Sequence, residues 1–241
     1  MRKEPFTVGD YVHILKRGAK GLPIVRDEND RLRFLKILRH LNDEYISDYW
    51  ENDIEKEGSH IGKVFERPVT WPEQKPLVMI LAYTLMPNHF HILVKEITEG
   101  GVGRFMQKLG NSMTGHFNLK YKESGSLFQG SYKARHVKDD RYLRYLAVYI
   151  MVKNIFELYP GGIKVAIQNF DKAFEWGTGY QFSSLVDYIP QVKPAVYAKQ
   201  IIEKEILGEI FSSPKEFKDF ARDCMLGRVT ENDEIATLIM E

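Results

Sequence analysis

The sequence predicts an α+β fold, in which an antiparallel β-sheet carries helices on one face. Stretches with the two-residue alternation of strands and stretches with the three-to-four-residue spacing of helices follow one another through the first 160 residues. Two apolar runs, at 76–86 and 89–97, are separated only by Pro87 and Asn88, which predicts a tight hairpin. With 241 residues, 44% of them hydrophobic, the chain can bury a full core.

The first strand and the first helix precede the hairpin. Residues 11–18 alternate around β-branched side chains and end in Gly18, which predicts a strand. A helix is predicted from about Asp30 to Trp50, because apolar residues recur there at steps of three and four. Residues 51–76 contain three prolines and Gly58, so we expect them to form a long connection.

The second half of the pattern follows the hairpin. A helix is predicted after residues 100–103 and runs to about Lys122, because one apolar stripe extends along it. Residues 125–137 are extended in character, and residues 139–154 open with two acids suited to a helix N-terminus. The order strand, helix, strand, strand, helix, strand, helix is typical of a ferredoxin-like two-layer sandwich.

A break at residues 160–162, ProGlyGly, separates this pattern from the rest of the chain. Helical stretches follow at 165–176, 198–211 and 213–225, the last with Ser213 as the cap and Pro214 in the first turn. We therefore predict one domain at residues 5–160 and a helical C-terminal extension at residues 161–241.

Three features predict a cytoplasmic protein. The longest uncharged apolar run, residues 77–86, is half of the ~20 residues that span a bilayer. The N-terminus lacks the apolar segment of a signal peptide. The single cysteine, Cys224, cannot form an internal disulfide, which fits a reducing compartment.

His89 and His91 open the second strand of the hairpin. Residues two apart on a strand point to the same side, roughly 6.6 Å apart, so both imidazoles can converge on one ion. Neutral imidazole suits Zn, Mn, Ni or Co and, with oxygen ligands, Mg. Histidine pairs at this spacing are more often hydrogen-bonded to neighbours, so spacing alone leaves both interpretations open. A metal site would need a third ligand from elsewhere.

Four segments together resemble the HUH endonucleases, named for His, hydrophobic, His. More narrowly, they resemble the single-tyrosine transposases of the insertion sequence 200 type, and within them the REP-associated tyrosine transposases. The segments are HILKRG at 13–18, LMPNHFHILVK at 85–95, GSLFQGSYKARHV at 125–137 and the helix that carries Tyr149. The resemblance implies a metal-dependent single-stranded DNA endonuclease and strand transferase. It would act on hairpin-forming repeat DNA through a 5′-phosphotyrosine intermediate.

The resemblance also implies the site residues. His89 and His91 would bind a divalent metal, Mg or Mn, and Tyr149 would be the nucleophile, with Tyr145 in reserve on the same helical stripe. The family has a side-chain amide four residues after its tyrosine, where this chain has Lys153, and a protonated lysine cannot ligate a cation. A local shift of the helix would let Asn154 serve as the third ligand. Another group, a water molecule or weakened metal binding are the alternatives.

A basic segment is the predicted contact with DNA. Residues 104–138 carry seven Lys or Arg against one acid, although the net charge of the chain is only +1. Cations there can neutralise phosphates, and aromatic rings can stack on unpaired bases. The alternative is a solvated basic face with the aromatic rings in the core. With Arg17 from the first strand, the predicted set is Arg17, Lys120, Lys122, Phe128, Tyr132, Lys133, Arg135 and Lys138.

The expected partner is single-stranded or hairpin DNA, and a homodimer that shares the tyrosine between chains stays open. Two other functions fit the same residues. A catalytically impaired DNA-binding protein of the same fold would bind hairpins with a marked salt dependence but would not cleave them. A metal hydrolase of small substrates would use the histidines without DNA.

Overall fold

A four-stranded antiparallel sheet forms the centre of the computed structural model, which describes residues 5–57, 64–189 and 200–227. The strands are β1 (Tyr11–Arg17), β2 (Val78–Leu85), β3 (His89–Glu96) and β4 (Lys133–Val137). Their spatial order is β2-β3-β1-β4. Together with the connecting helices, this is the strand, helix, strand, strand, helix, strand order of a ferredoxin-like sandwich. The predicted α+β fold class is confirmed.

One face of the sheet, here termed the helix face, packs against α1 (Glu28–His40) and α3 (Gly101–Tyr121). The even-numbered residues of β3 point to this face, where Phe90 meets Phe34 at 5.1 Å between ring centroids. Helix α1 begins at a capping box, in which the side chains of Asp27 and Asp30 each accept a hydrogen bond from the other's backbone N–H. The helix face is therefore an apolar core whose helices start at defined residues.

The helix predicted for residues 30–50 is wrong in its second half, because α1 ends at His40. The Asn42 amide donates to the carbonyl oxygen of Val78 and accepts from the N–H groups of Leu77 and Val78, which ties the chain to the start of β2. These tertiary hydrogen bonds outweigh the helical spacing of the apolar residues. A second helix, α2 (Trp50–Glu57), occupies part of the predicted connection.

The opposite face of the sheet, here termed the histidine face, is covered by the C-terminal half of the chain. Its helices are α4 (Asp140–Val148), α5 (Asn154–Leu158), α6 (Gly162–Gln168), α7 (Phe170–Thr178), α8 (Leu185–Tyr188), α9 (Glu205–Ile210) and α10 (Pro214–Met225). One π-helical turn, Tyr149–Lys153, joins α4 to α5. Helix α4 and the π turn pack on the sheet through Leu93 and Val137. Helices therefore lie on both faces of the sheet and not on one face as predicted. The helices of the predicted extension belong to the third layer, on the histidine face.

The later helices brace α4 and α5. Arg144 of α4 donates to Glu216 of α10 at 2.8 Å, and Phe156 of α5 meets Phe170 of α7 at 5.5 Å. The predicted cap of α10 is confirmed, because the Ser213 hydroxyl accepts from the N–H of Glu216.

The helix predicted for residues 198–211 is present only as α9. Residues 190–199 lie outside the described residues, and Glu203 donates its N–H to Ile80 of the edge strand β2 at 2.8 Å. The N–H of Glu203 therefore bonds to the sheet and not to a carbonyl oxygen within a helix. No described helix is both long and apolar enough to cross a membrane.

Candidate active site

His89 and His91 lie on the histidine face, and the residues between and after them point into the helix face, as the alternation of β3 predicts. Their ring centroids are 5.1 Å apart, and the rings are nearly perpendicular. His91 is 2% exposed and His89 is 8% exposed, so both rings stand in the protected layer between sheet and helices.

The Nδ1 atom of each histidine is engaged by a neighbour. His89 Nδ1 is 2.7 Å from Oδ1 of Asn88, and His91 Nδ1 is 2.9 Å from Nε2 of His13 on β1. The His13 and His91 rings are stacked with centroids 5.1 Å apart. A cation bound by either His89 or His91 would therefore meet Nε2, with Nδ1 held from behind.

Burial keeps the imidazoles of His91 and His13 neutral. Desolvation lowers the pKa of His91 well below its usual range, and the nearby His13, His89, Lys153 and Arg17 lower it further. Desolvation also lowers the pKa of His13 to about 3, with a smaller contribution from Arg135. Neutral imidazole is the form that binds a metal ion, so His91 is already in the metal-binding form at neutral pH.

Tyr149 begins the π turn and faces the histidines of its own chain. Its ring centroid is 5.4 Å from that of His91 and 6.1 Å from that of His13, with edge-on geometry in both cases. The tyrosine is 3% exposed. The Thr84 hydroxyl of β2 donates to the carbonyl oxygen of Ile150 at 2.6 Å, which fastens the π turn to the sheet. The predicted nucleophile Tyr149 thus lies beside the predicted metal ligands His89 and His91.

The π turn changes which residue follows Tyr149 on its side of the helix. Asn154 donates its N–H to the carbonyl oxygen of Tyr149, a step of five residues instead of four. A five-residue step makes about one full turn in π geometry, so Asn154 occupies the register that an unbroken α-helix would give to Lys153. This is the local shift that a third ligand at Asn154 requires.

The Asn154 side chain is buried. It is 1% exposed, and its Nδ2 makes no hydrogen bond within residues 5–57, 64–189 and 200–227. A buried N–H donor of this kind calls for an acceptor such as a water or phosphate oxygen, whereas a cation would be bound by Oδ1 of the same amide. The ammonium of Lys153 pairs with Glu157 at 2.6 Å and lies 4.8 Å from the Tyr149 ring centroid.

The available donors fit a divalent cation. In the described part of the chain, no cluster of three or more His, Cys, Asp or Glu could hold a metal. The ligands would be two neutral imidazoles and the oxygen of an amide, with the remaining positions left to water or phosphate. This mixture of nitrogen and oxygen ligands suits Mn, and Mg where oxygen ligands complete the octahedron.

Three predicted DNA-binding cations share the histidine face. Arg17 lies opposite His89 in the register of β1 and β3, and Arg135 of β4 lies opposite His13. Lys133 lies opposite Leu15. A cavity of ≈ 290 Å³ next to the histidines is lined by Leu15, Arg17, Gln129, Ser131 and Lys133. We refer to Arg17, Lys133 and Arg135 as the basic strip.

Other members of the predicted set lie elsewhere. Phe128 is 3% exposed and packs 6.0 Å from Phe90 on the helix face, so contrary to the prediction it offers no surface to a base. Tyr132 is partly buried against the same core. Lys120 binds Asp27 at 2.6 Å and Asp30 at 2.7 Å, so its charge is used within the fold rather than held for a phosphate.

The remaining two predicted cations, Lys122 and Lys138, are exposed. Sequence reasoning did not assign Asn88 or His13 to the site. Asn88 was interpreted only as a turn residue, although it directly precedes His89. His13 lies on the same side of β1 as Arg17, which was visible in the sequence. Only the pairing of β1 with β3 shows that this side is shared with His89 and His91.

His89 and His91, on either side of Phe90, thus face Tyr149 on a ferredoxin-like sheet. Residues 59–153 match the family described as "Transposase IS200 like". The matched range includes the hairpin, both histidines, β4 and Tyr149. No curated protein matched the chain significantly.

A solved structure described as "Structure of the REP associates tyrosine transposase bound to a REP hairpin" is similar to this chain at 12% identity. The alignment covers 84% of this chain and 93% of that chain, with a TM-score of 0.44.

Proposed function

We propose that the protein is a metal-dependent single-stranded DNA endonuclease and strand transferase that acts on hairpin-forming repeat DNA. The observation that carries the proposal is the 5.4 Å approach of the Tyr149 and His91 rings within one chain. The match of residues 59–153 to IS200-like transposases supports DNA as the substrate. In this proposal residues 5–160 are the catalytic domain and residues 161–241 are a helical extension.

Tyr149 is the proposed nucleophile. Its phenol oxygen loses a proton and attacks phosphorus, while the bond from phosphorus to the 3′ oxygen breaks and that oxygen takes up a proton. The products are a 5′-phosphotyrosine and a free 3′-hydroxyl. Because the phosphoester is retained, a 3′-hydroxyl can reverse the step and join a different strand end.

His89, His91 and Asn154 are the proposed ligands of a divalent cation, Mg or Mn. Bound there, the cation would offset negative charge on the scissile phosphate. The ammonium of Lys153, beside the Tyr149 ring, adds positive charge where the phenol oxygen becomes negative. Lys153 thus assists the nucleophile in this proposal instead of weakening the site.

The basic strip is the proposed path of the DNA backbone. Arg17, Lys133 and Arg135 lie on the same side of the sheet as the two histidines, so a strand that crosses them arrives at Tyr149. Phosphate contacts of this kind position the nucleic acid without reading its sequence. Exposed Lys122 and Lys138 extend the proposed contact, whereas Lys120 and Phe128 are not part of it.

The experiment uses a single-stranded hairpin oligonucleotide with Mg²⁺ or Mn²⁺ and measures a covalent adduct between protein and DNA. The wild-type chain should form the adduct, and Tyr149→Phe should form none. Tyr145→Phe removes a hydroxyl from the same helical stripe and is the matched control, which should retain the adduct. An adduct in Tyr149→Phe would show that another residue is the nucleophile. Salt-sensitive binding without any adduct in the wild type would favour the impaired DNA-binding protein.

A further inference from the structure

Asn88 and His13 contact the Nδ1 atoms of His89 and His91, the nitrogens that do not face the proposed cation. We propose that Asn88 and His13 are positioning residues: Asn88 holds His89 in the tautomer with the proton on Nδ1 and the lone pair on Nε2, and His13 accepts the Nδ1 proton of His91 when a cation binds Nε2 of His91. This role rests on the proposed metal site and deepens it, because it explains how two neutral imidazoles present the correct nitrogen.

The orientation of the Asn88 amide can be deduced from its partners. Asn88 Nδ2 is 3.1 Å from the carbonyl oxygen of Gly21, and Oδ1 is 2.7 Å from Nδ1 of His89. A backbone carbonyl only accepts hydrogen bonds, so the amide nitrogen must face Gly21. The amide oxygen then faces His89 and also only accepts, which requires the proton of His89 on Nδ1. Nε2 is left with its lone pair.

The loop that carries Gly21 is itself fastened to the hairpin corner. Gly18 donates its N–H to the carbonyl oxygen of Asn88 at 2.8 Å, and Ile24 donates to that of Pro87 at 2.8 Å. A side chain at Gly18 would place its Cβ 2.1 Å from the carbonyl oxygen of Leu22, so only glycine fits this turn. The loop and the corner therefore hold Asn88 in one orientation whether or not a cation is present.

His13 supports His91 in a different way. A cation on Nε2 of His91 requires the proton on Nδ1, which must then donate to Nε2 of His13 at 2.9 Å. The proton of His13 consequently sits on its own Nδ1, which is buried and makes no hydrogen bond with any described residue. The reversed pair would place a proton on Nε2 of His91 and block the cation. Because Nδ1 of His13 is unsatisfied either way, the cation itself selects the tautomer of this pair.

The two histidines thus differ in how their tautomers are set. Asn88 fixes the tautomer of His89 before the cation binds, whereas the His13–His91 pair can exist in either tautomer and adopts the metal-binding one when the cation binds. Replacement of such a supporting residue typically lowers metal affinity by 10–100-fold.

The first test of this proposal measures the imidazole nitrogens of the metal-free protein by ¹⁵N NMR. His89 should have its proton on Nδ1 in the wild type and should become a mixture of tautomers in Asn88→Ala. Calorimetry with Mn²⁺ should show an affinity about 10–100-fold lower for Asn88→Ala. Asn88→Asp keeps an acceptor for Nδ1 and should stay within about 10-fold of the wild type. Asn118→Ala is the matched control, because that amide also donates to a backbone carbonyl, of Gly125 at 2.9 Å, but touches no histidine.

The second test replaces His13. His13→Phe keeps a ring in the stack but removes the acceptor, so Mn²⁺ affinity should fall about 10–100-fold. His13→Gln places an amide near the position of Nε2 and should restore most of the affinity, which a purely packing role would not predict. Thermal unfolding of each variant checks the fold.

A proton on Nε2 of His89 in the wild type would overturn the role of Asn88. Equal Mn²⁺ affinities for His13→Phe and His13→Gln would overturn the role of His13. Failure of the proposed function looks different: the wild type would bind no Mn²⁺, while the tautomer of His89 would still decide the role of Asn88.

Discussion

The two faces of the sheet are both buried under helices and both have an apolar core, yet β3 contributes different residues to each. On the helix face, Phe90 and Ile92 of β3 pack against an apolar core and have no polar atoms to satisfy. On the histidine face, His89 and His91 of the same strand meet other polar groups. The helix face gains stability from buried apolar area, whereas the histidine face combines its apolar core with buried polar groups, some of them unsatisfied, that hold the side chains of the proposed site in place.

The largest effect should come from the histidine face. His91→Asn keeps an amide near the position of Nδ1, where it can still bond to His13, but removes the proposed ligand Nε2. Adduct formation with a hairpin oligonucleotide should fall on the order of 10³-fold, because charge stabilisation at the phosphate is lost. The free energy of unfolding, measured with urea, should change by less than about 1.5 kcal/mol. A variant that retains full adduct formation would remove His91 from the site.

Phe90, which lies next to His91 but on the helix face, should matter for stability instead of for metal binding. Phe90→Ala leaves a cavity on the helix face and should cost about 3–5 kcal/mol of unfolding free energy. Under conditions in which the variant is still folded, Mn²⁺ affinity should stay within about 10-fold of the wild type, because His89 and His91 keep their supports. A loss of metal binding in a folded Phe90→Ala protein would mean that the two faces are coupled.

The π turn provides a third comparison. Asn154→Ala should lower Mn²⁺ affinity by at least the about 10–100-fold that is typical of losing a residue that supports a ligand, because Asn154 is itself a proposed ligand. Deletion of Lys153 should convert the π turn to a regular α-helical turn and place the asparagine four residues after Tyr149. The Mn²⁺ affinity of the deletion variant should therefore stay near that of the wild type. If the deletion variant loses as much Mn²⁺ affinity as Asn154→Ala, the extra residue in the π turn is not what aligns Asn154.

Acid should destabilise both faces of the sheet, because burial lowers the pKa of His13 and of His91 on the histidine face as well as that of His40 on α1. Desolvation lowers the pKa of His40 on α1 to about 4, whereas an unfolded histidine titrates near 6.5. The unfolded chain therefore binds more protons between these values, so stability is complete above about pH 6.5 and falls as the pH is lowered. At pH 5 the loss from His40 should be about 2 kcal/mol. His40→Gln, which can still donate to Val64, should have a flatter profile of unfolding free energy against pH between 7 and 5.

The smallest effect concerns single phosphate contacts. Arg17→Ala should weaken hairpin binding and reduce the slope of log affinity against log salt concentration by about 1. Lys120→Ala, which removes an equal charge already paired with Asp27 and Asp30, should leave the slope unchanged. Equal changes in both variants would show that the basic strip has no special contact with DNA.

Much of this arrangement follows from local pattern. The alternation of β3 was enough to separate His89 and His91 from Phe90, and the order of strands and helices gave the fold class. The stripe of Tyr142, Tyr145 and Tyr149 was visible as well, but choosing Tyr149 needed the resemblance to a family.

What could not be predicted depends on long-range contacts. The pairing of His13 with His91 joins residues 78 positions apart, and the ion pairs of Lys120 join α3 to the start of α1. Helix α1 stops at His40 because Asn42 bonds to β2, which no local periodicity reveals. A local shift of the helix was only one of several ways to accommodate Lys153, and the π turn itself was not predicted, because five-residue hydrogen bonds leave little trace in a hydrophobic pattern.

The central claim is that one chain contains a complete site, and mixing two inactive variants tests it most directly. Tyr149→Phe supplies intact histidines, and His91→Asn supplies an intact tyrosine. Each alone should form no adduct with a hairpin oligonucleotide and Mn²⁺. If Tyr149 acts with the histidines of its own chain, the equimolar mixture should also form none. An adduct on the His91→Asn chain in the mixture would show that the tyrosine works with the histidines of another copy, which would contradict the account.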